Sequence, residues 1–249
     1  MDAEGVDLAR VSLATVQPES VPPVRPALEQ VNIGGVVVDA SGAPVVSYFT
    51  MRPPRSLWSA RLDPVTNAWV ETRIQPSILP VGFPPLAVDG STSPFAGRIY
   101  SVWLASEDQT DMRVMLQWSD DGGASWSAAV QVHRDTSRVV RELPAVAVAP
   151  DGAVGVIWQD LRNTTVPNCS DAYGAISVDG GRSFLPDVRI SSETACFDAS
   201  ANGVAAHRFN IGGGDYDGLT AAGPGAFQAV WCDSRTGRYQ VWTARLQVR

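Results

Sequence analysis

The feature that most constrains the fold of this chain is an eight-residue pattern, S-x-D-x-G-x-S followed by an aromatic residue, which occurs twice. The copies occupy residues 119–126 and 177–184 and begin 58 residues apart. In each, an aspartate can accept hydrogen bonds from its own turn, glycine supplies a positive φ, and the aromatic ring can fill the space beneath. Recurrence at this period indicates a repeat architecture. The residues with these structural roles are Ser119, Asp121, Gly123, Trp126, Ser177, Asp179, Gly181 and Phe184.

Four units of similar length follow from the alternation of strand-length runs with turns rich in Gly, Pro and Asp. They cover about residues 28–75, 82–133, 141–192 and 207–249. The expected second strands carry the aromatic residues Tyr48, Trp103, Trp158 and Trp231, and the first three of these are spaced 55 residues apart. An aromatic residue at one strand position fills the space between stacked blades. The pattern predicts an all-β fold, a single β-propeller domain of four-stranded antiparallel blades over residues 1–249.

The expected strands leave one unit incomplete. They lie near residues 32–39, 43–50, 56–62 and 68–74, then 83–89, 98–105, 112–119 and 126–133, then 142–149, 153–160, 171–178 and 184–191, and finally 215–221, 226–233 and 238–247. The last unit lacks a fourth strand, whereas residues 6–15 form a strand without a unit. We expect this N-terminal strand to complete the last blade and close the ring, which removes its edges. The alternative is a larger propeller completed by another copy of the chain, a homo-oligomer.

The octapeptide resembles the Asp-box of the sialidase (BNR-repeat) β-propellers, and the chain is thereby similar to bacterial sialidase-like proteins. The resemblance implies a glycan-active hydrolase, although those propellers have six blades and four are visible here. It also implies that the Asp-box turns lie opposite the active site, where three arginines bind an anionic sugar and a glutamate activates a tyrosine nucleophile. Proteins of this family are often secreted, yet residues 1–5 lack the charged and apolar regions of a signal peptide.

The amino-acid composition excludes several classes of binding partner and of chemistry. The net charge is −7, which gives no basic footprint for nucleic acid, and no apolar run is long enough to span a membrane. All 19 basic residues are arginine, which excludes Schiff-base lysine chemistry and P-loop nucleotide binding. Guanidinium groups suit planar carboxylates. With these classes set aside, the resemblance implies a small-molecule or glycan substrate as the partner.

The three cysteines fall in different settings. Cys169 and Cys196 lie in polar, loop-like stretches and could pair, which would fit an oxidising compartment. Cys232 lies within a strand-like run, where a buried free thiol is expected.

Arginines recur at the ends of the expected second strands. Two strands end in W-x-D-x-R, at residues 158–162 and 231–235, and the first unit keeps only the arginine. Arg52, Arg162 and Arg235 could therefore form a ring that binds a substrate carboxylate through bidentate forks. In the competing interpretation, each aspartate pairs with its own arginine and fixes the loop.

Polar residues mark the starts of the innermost strands, where the mouth of the central channel is expected. Glu142, Asp215 and Tyr216 are candidates for catalysis, and Arg141 for substrate binding. Carboxylate and amide oxygens are also ligands for calcium. The candidate ligands are Asn32, Glu142, Asn210, Asp215 and Asp217.

Three functions remain open at this point. The first is a sialidase-like hydrolase that uses Glu142, Asp215 and Tyr216, but the Arg-Ile-Pro motif of those enzymes is absent. The second is a lactonase- or phosphotriesterase-like hydrolase with Ca²⁺ as its cofactor. The third is a propeller that binds glycans or proteins without catalysis. The fold alone does not choose among them.

Overall fold

The computed structural model describes residue 24 and residues 31–51, 55–75, 83–106, 110–165, 169–196 and 216–248. These residues form strands, turns and extended segments. No helix among them is long and apolar enough to cross a membrane. The expected all-β class is confirmed.

The strands form four antiparallel sheets, each built in chain order. Sheet 1 contains β1 (Val31–Val38), β2 (Pro44–Thr50), β3 (Leu57–Asp63) and β4 (Ala68–Gln75). Sheet 2 contains β5 (Leu86–Val88), β6 (Ile99–Ala105), β7 (Arg113–Ser119) and β8 (Val130–Gln131). Sheet 3 contains β9 (Arg141–Val148), β10 (Val154–Asp160), β11 (Cys169–Ser177) and β12 (Val188–Arg189), and β13 (Ala195–Cys196) also pairs with β11. Sheet 4 contains β14 (Gly218–Gly223), β15 (Ala226–Asp233) and β16 (Gln240–Gln247).

The predicted strands agree with these sheets except at one inner strand and two outer edges. The inner strand β5 has three residues where a strand over 83–89 was expected. β8 and β12 have two residues each, although eight-residue strands were expected at 126–133 and 184–191. After each octapeptide turn, single amides of Ser127 and Leu185 bond back to the preceding strand, and regular ladder pairing is limited to Val130–Gln131 and Val188–Arg189. β13 was not predicted.

Neighbouring sheets follow one another as the blades of a propeller do. β1 contacts β5, β5 and β6 contact β9, and β9 contacts β14. Strand β1, at one edge of sheet 1, has exposed apolar side chains, with Ile33 at 75% and Val36 at 65% exposure. Residues 6–15 lie outside the described residues, so closure of the ring by this strand stays a prediction.

Each octapeptide forms a turn closed by its own serine and aspartate. The amide of Gly123 donates to Ser119 Oγ at 2.7 Å, and the amide of Ser125 donates to Asp121 Oδ1 at 2.8 Å. The second copy repeats these bonds at 2.9 Å each, from Gly181 to Ser177 and from Ser183 to Asp179. Burial alone would raise the pKa of both aspartates, but these hydrogen bonds outweigh it and hold each pKa below its ordinary value.

The aromatic residue of each turn packs against the preceding sheet rather than only beneath its own loop. Trp126, from sheet 2, donates its indole N–H to Ser59 Oγ of sheet 1 at 3.1 Å. Phe184, from sheet 3, is buried in a core cluster with Tyr100 and Leu116 of sheet 2. The turns therefore join one sheet to the next.

The cysteines adopt the expected pairing. Cys169 on β11 and Cys196 on β13 form a disulfide across 27 residues. The carbonyl of Cys196 also accepts a hydrogen bond from Ser234 Oγ at 2.8 Å, which joins this segment to sheet 4. Cys232 is a free, half-buried thiol.

Candidate functional site

The two ends of sheet 3 differ in chemistry. At one end, Val154 pairs with Ser177, the first residue of an octapeptide turn. At the other end, Asp160 pairs with Arg141, where β9 begins and β10 ends. The residues proposed for catalysis and binding on this sheet thus lie at the end opposite the octapeptide turn.

Asp160, from the first W-x-D-x-R motif, is the centre of a buried ion-pair network. Its carboxylate accepts hydrogen bonds from Arg141 Nε at 2.9 Å, from Trp158 Nε1 at 2.8 Å and from Arg162 Nη2 at 2.6 Å. Burial would raise the pKa of Asp160, but the arginines and the indole outweigh it and lower the pKa. The carboxylate is therefore ionised and saturated with donors.

The arginines of this network have further partners. Arg141 also binds Asp135 and donates to the carbonyl of Met112 at 2.8 Å. Arg162 binds Asp187 at 2.5 Å. Arg141 therefore contacts two aspartates, and Arg162 contacts three, since its Nε also lies 3.8 Å from Asp135.

The second W-x-D-x-R motif repeats the arrangement on sheet 4. Asp233 accepts from Trp231 Nε1 at 2.9 Å and from Arg235 Nε at 3.0 Å. Arg235 packs over Trp242, 4.2 Å from the ring centroid, and donates to Ser192 Oγ at 2.7 Å. These contacts favour the interpretation in which each aspartate pairs with its own arginine. Arg52 lies outside the described residues.

His133 lies buried beside this network. Its Nδ1 is 2.9 Å from the carbonyl oxygen of Asp135, which can only accept, so Nδ1 carries the proton. Nε2 has no hydrogen-bond partner in the described part of the chain. Burial, together with the positive charges of Arg141 and Arg162, lowers the pKa of His133 to about 4, against the opposing effect of Asp160.

This histidine predicts a loss of stability in mild acid. Its pKa falls from 6.5 in the unfolded chain to about 4 in the folded protein, so the unfolded state binds the extra proton in this window. We expect the contribution of His133 to the free energy of unfolding to decrease by about 3 kcal/mol as the pH falls through it. Urea unfolding of the wild type and of His133→Gln at successive pH values measures this contribution as the difference between their two slopes. An unchanged slope in that variant would assign the effect to other groups.

On the other face of β10, Gln159 reaches across to sheet 4. Its side-chain N–H donates to Asp217 Oδ2 at 2.8 Å, and its carbonyl accepts from Ser170 Oγ at 3.2 Å. Gln159 and Ser170 are buried. Burial raises the pKa of Asp217 to about 7, although the bond from Gln159 opposes this effect. Asp217 can therefore hold a proton at mildly acidic pH.

Glu142 lies beside this pair. It is buried on β9 and is directly opposite Gln159 in the ladder, so their side chains share one face of sheet 3. Two carboxyl groups, Glu142 and Asp217, thus flank one glutamine where sheets 3 and 4 meet.

Tyr216 contacts a residue of the segment that leads into sheet 2. Its ring stacks on Phe83, which precedes β5, with centroids 5.2 Å apart and an interplanar angle of 24°. The chain segments that lead into sheets 2 and 4 therefore meet at the end that carries Glu142 and Asp217. Asp215 lies outside the described residues.

The proposed calcium ligands are only partly described. Asn32 is half-buried on β1, opposite Phe49 in sheet 1, and Asn210 lies outside the described residues. Within the described ranges, no three His, Cys, Asp or Glu side chains are grouped so that they could hold a metal ion. The calcium site stays a prediction.

The sequence analysis did not identify Gln159 as a site residue, because Gln159 is a variable position of the W-x-D-x-R motif at residues 158–162. In a strand, successive side chains point to opposite faces. The residue between Trp158 and Asp160 therefore faces away from the ion pairs, toward the proposed site. Strand alternation was the signal that could have identified it.

Comparisons with known proteins support the fold. No model of a known protein family and no curated protein sequence matches the chain. Among solved structures, it is similar to a Hadza microbial sialidase, with a TM-score of 0.56 and 15% identity over 87% of this chain and 45% of the sialidase. The α-L-arabinanase of Penicillium chrysogenum gives a TM-score of 0.53 and 14% identity, over 85% of this chain and 60% of that enzyme.

A third similar structure is the α-L-arabinofuranosidase of Fusarium graminearum, with a TM-score of 0.54 and 11% identity over 88% of this chain and 66% of that enzyme. The chain thus spans about half to two thirds of the length of these three proteins. At such identities the likeness concerns the fold, and it confirms the resemblance to the sialidase-like β-propellers.

Proposed function

We propose that the protein is a glycoside hydrolase whose acid–base pair is Asp217 and Glu142. The observation that carries this proposal is the carboxyl group of Asp217, which Gln159 orients and which burial keeps protonated up to a pH of about 7. Glycoside hydrolysis needs one carboxylic acid to protonate the leaving oxygen and a second carboxylate as base or nucleophile. Asp217 fits the first role, and Glu142, from the neighbouring sheet, is the candidate for the second.

The substrate proposed is a neutral glycan rather than a sialoside. An anionic sugar needs guanidinium groups free to bind its carboxylate. Arg141, Arg162 and Arg235 instead each bind at least one aspartate of this chain.

Hydrolysis of a glycan panel tests this function. The panel contains arabinan, xylan and galactan oligosaccharides and 3′-sialyllactose, assayed from about pH 4 to about pH 9 with and without EDTA. We expect cleavage of a neutral glycan, insensitive to EDTA, that declines as the pH rises through about 7.

Each other outcome contradicts the proposal in its own way. Cleavage of sialyllactose alone would favour the arginine clamp. Loss of activity in EDTA would favour the calcium-dependent hydrolase. Glycan binding without cleavage at any pH would favour the non-catalytic propeller.

A further inference from the structure

Tyr216 is the only aromatic residue among the large apolar side chains that are exposed in the described part of the chain. Its exposed fraction is 71%, whereas the others in this group are aliphatic residues or methionine. Large aromatic side chains are normally much more buried than this. This ring lies next to Asp217, at the end of the sheets that carries Glu142. Ligand sites are commonly lined by aromatic side chains, so its exposure there is consistent with contact to a ligand.

The position of this ring is fixed from two sides. Phe83 packs beneath it in a stacked geometry, at 5.2 Å between centroids. The next residue, Asp217, is held by the hydrogen bond to Gln159. The ring is thus supported before any ligand binds, which reduces the entropy lost on binding.

The contacts of Tyr216 differ from those of an activated nucleophile. A tyrosine nucleophile needs a neighbouring base to take its proton. The Tyr216 hydroxyl makes no hydrogen bond to the residues that the structure describes. The structure instead describes a ring with an aromatic neighbour and a large exposed surface.

We propose that Tyr216, supported by Phe83, is a stacking platform for a neutral sugar ring next to the bond that is cleaved. The inference rests on the proposed function, because Asp217 places the reacting bond. The face of an aromatic ring carries partial negative charge and attracts the C–H groups on the apolar face of a sugar. A platform of this kind binds a sugar through contact area and shape rather than through charge. This agrees with the pairing of Arg141, Arg162 and Arg235 with aspartates of this chain.

Two substitutions separate a platform from a nucleophile. Tyr216→Phe keeps the ring and removes the hydroxyl, so we expect it to keep more than about a tenth of the wild-type kcat on the neutral glycan of the panel that is cleaved fastest. Tyr216→Ala removes the ring and should raise KM about three- to tenfold with a smaller change in kcat. Val241→Ala, at an equally exposed apolar residue of sheet 4, is the control and should change neither.

A binding measurement makes the result independent of turnover. Calorimetry with arabinotriose and the Asp217→Asn variant should give a Kd that rises about three- to tenfold when Tyr216→Ala is added. Loss of kcat by more than about a thousandfold in Tyr216→Phe would overturn the platform and favour the nucleophile. If Asp217→Asn stays active, Asp217 is not the general acid. If Tyr216→Ala still weakens binding in that variant, the platform is supported even so.

Discussion

Replacing Asp217 with asparagine is expected to lower kcat for glycoside hydrolysis by about 100- to 10,000-fold, the usual contribution of a general acid. Asparagine keeps the size of the side chain and can still contact Gln159, but it has no proton to give to the leaving oxygen. The effect should therefore fall on kcat, with KM changed much less. Steady-state kinetics on the cleaved glycan measures both.

The pH dependence of the same variant gives a second readout. The folded pKa of Asp217 is raised from 3.8 to about 7, so the folded protein binds more protons than the unfolded chain between these values. The stability contributed by this proton is complete at low pH and is lost as the pH rises through about 7. Asp217→Asn should consequently be more stable than the wild type at pH 8, and its residual activity should lack the alkaline decline.

A matched control is available at Asp151, which lies in the exposed turn between β9 and β10. Asp151→Asn makes the same substitution far from the proposed site and should leave kcat, KM and the pH profile unchanged. If Asp217→Asn keeps kcat within about threefold of the wild type, the general acid must be sought elsewhere.

Replacing Arg141 with methionine is expected to reduce the free energy of unfolding by about 3–5 kcal/mol. The guanidinium of Arg141 and the carboxylate of Asp160 are both fully shielded from solvent. Methionine fills much of the space, but it removes one of the two guanidinium groups that neutralise the buried Asp160 carboxylate. It also removes the donor to Asp135. The measurement is chemical unfolding near neutral pH.

Two further variants show whether the loss comes from the buried charges. Arg245→Met, on the exposed strand β16, should stay within about 0.5 kcal/mol of the wild type. The double variant Arg141→Met/Asp160→Asn should lose less than the sum of the two single losses, because it removes both members of a coupled pair. Additive losses would mean that the two side chains do not stabilise each other.

The sequence predicted the strands well because local chemistry determines them. β2, β6, β10 and β15 lie close to their expected positions, since alternating apolar residues and Gly or Asp turns define both ends. β13 was beyond prediction, because it depends on pairing with β11 next to the disulfide.

The candidate site was predicted in outline only. Strand order placed Glu142 and Tyr216 at one end of the sheets, since both lie near the starts of inner strands. The link from Gln159 to Asp217 depends on how sheet 4 sits against sheet 3, a long-range contact without a local signal. Likewise, the W-x-D-x-R motifs showed an aspartate and an arginine two residues apart, but they did not show that Arg141 would also pair with Asp160.

The octapeptide turns also bear on how a chain of this kind can lengthen. Trp126 and Phe184 each pack against the sheet before their own. Each unit that carries the motif therefore contributes an aromatic side chain to the core of the preceding unit. A duplicated unit inserted after an existing one would contribute this aromatic side chain to the earlier sheet, and the sequence of that sheet would not need to change. Coupling between neighbours alone is what lets repeat proteins gain or lose whole units. The contacts that join neighbouring units are therefore carried within the repeated motif itself.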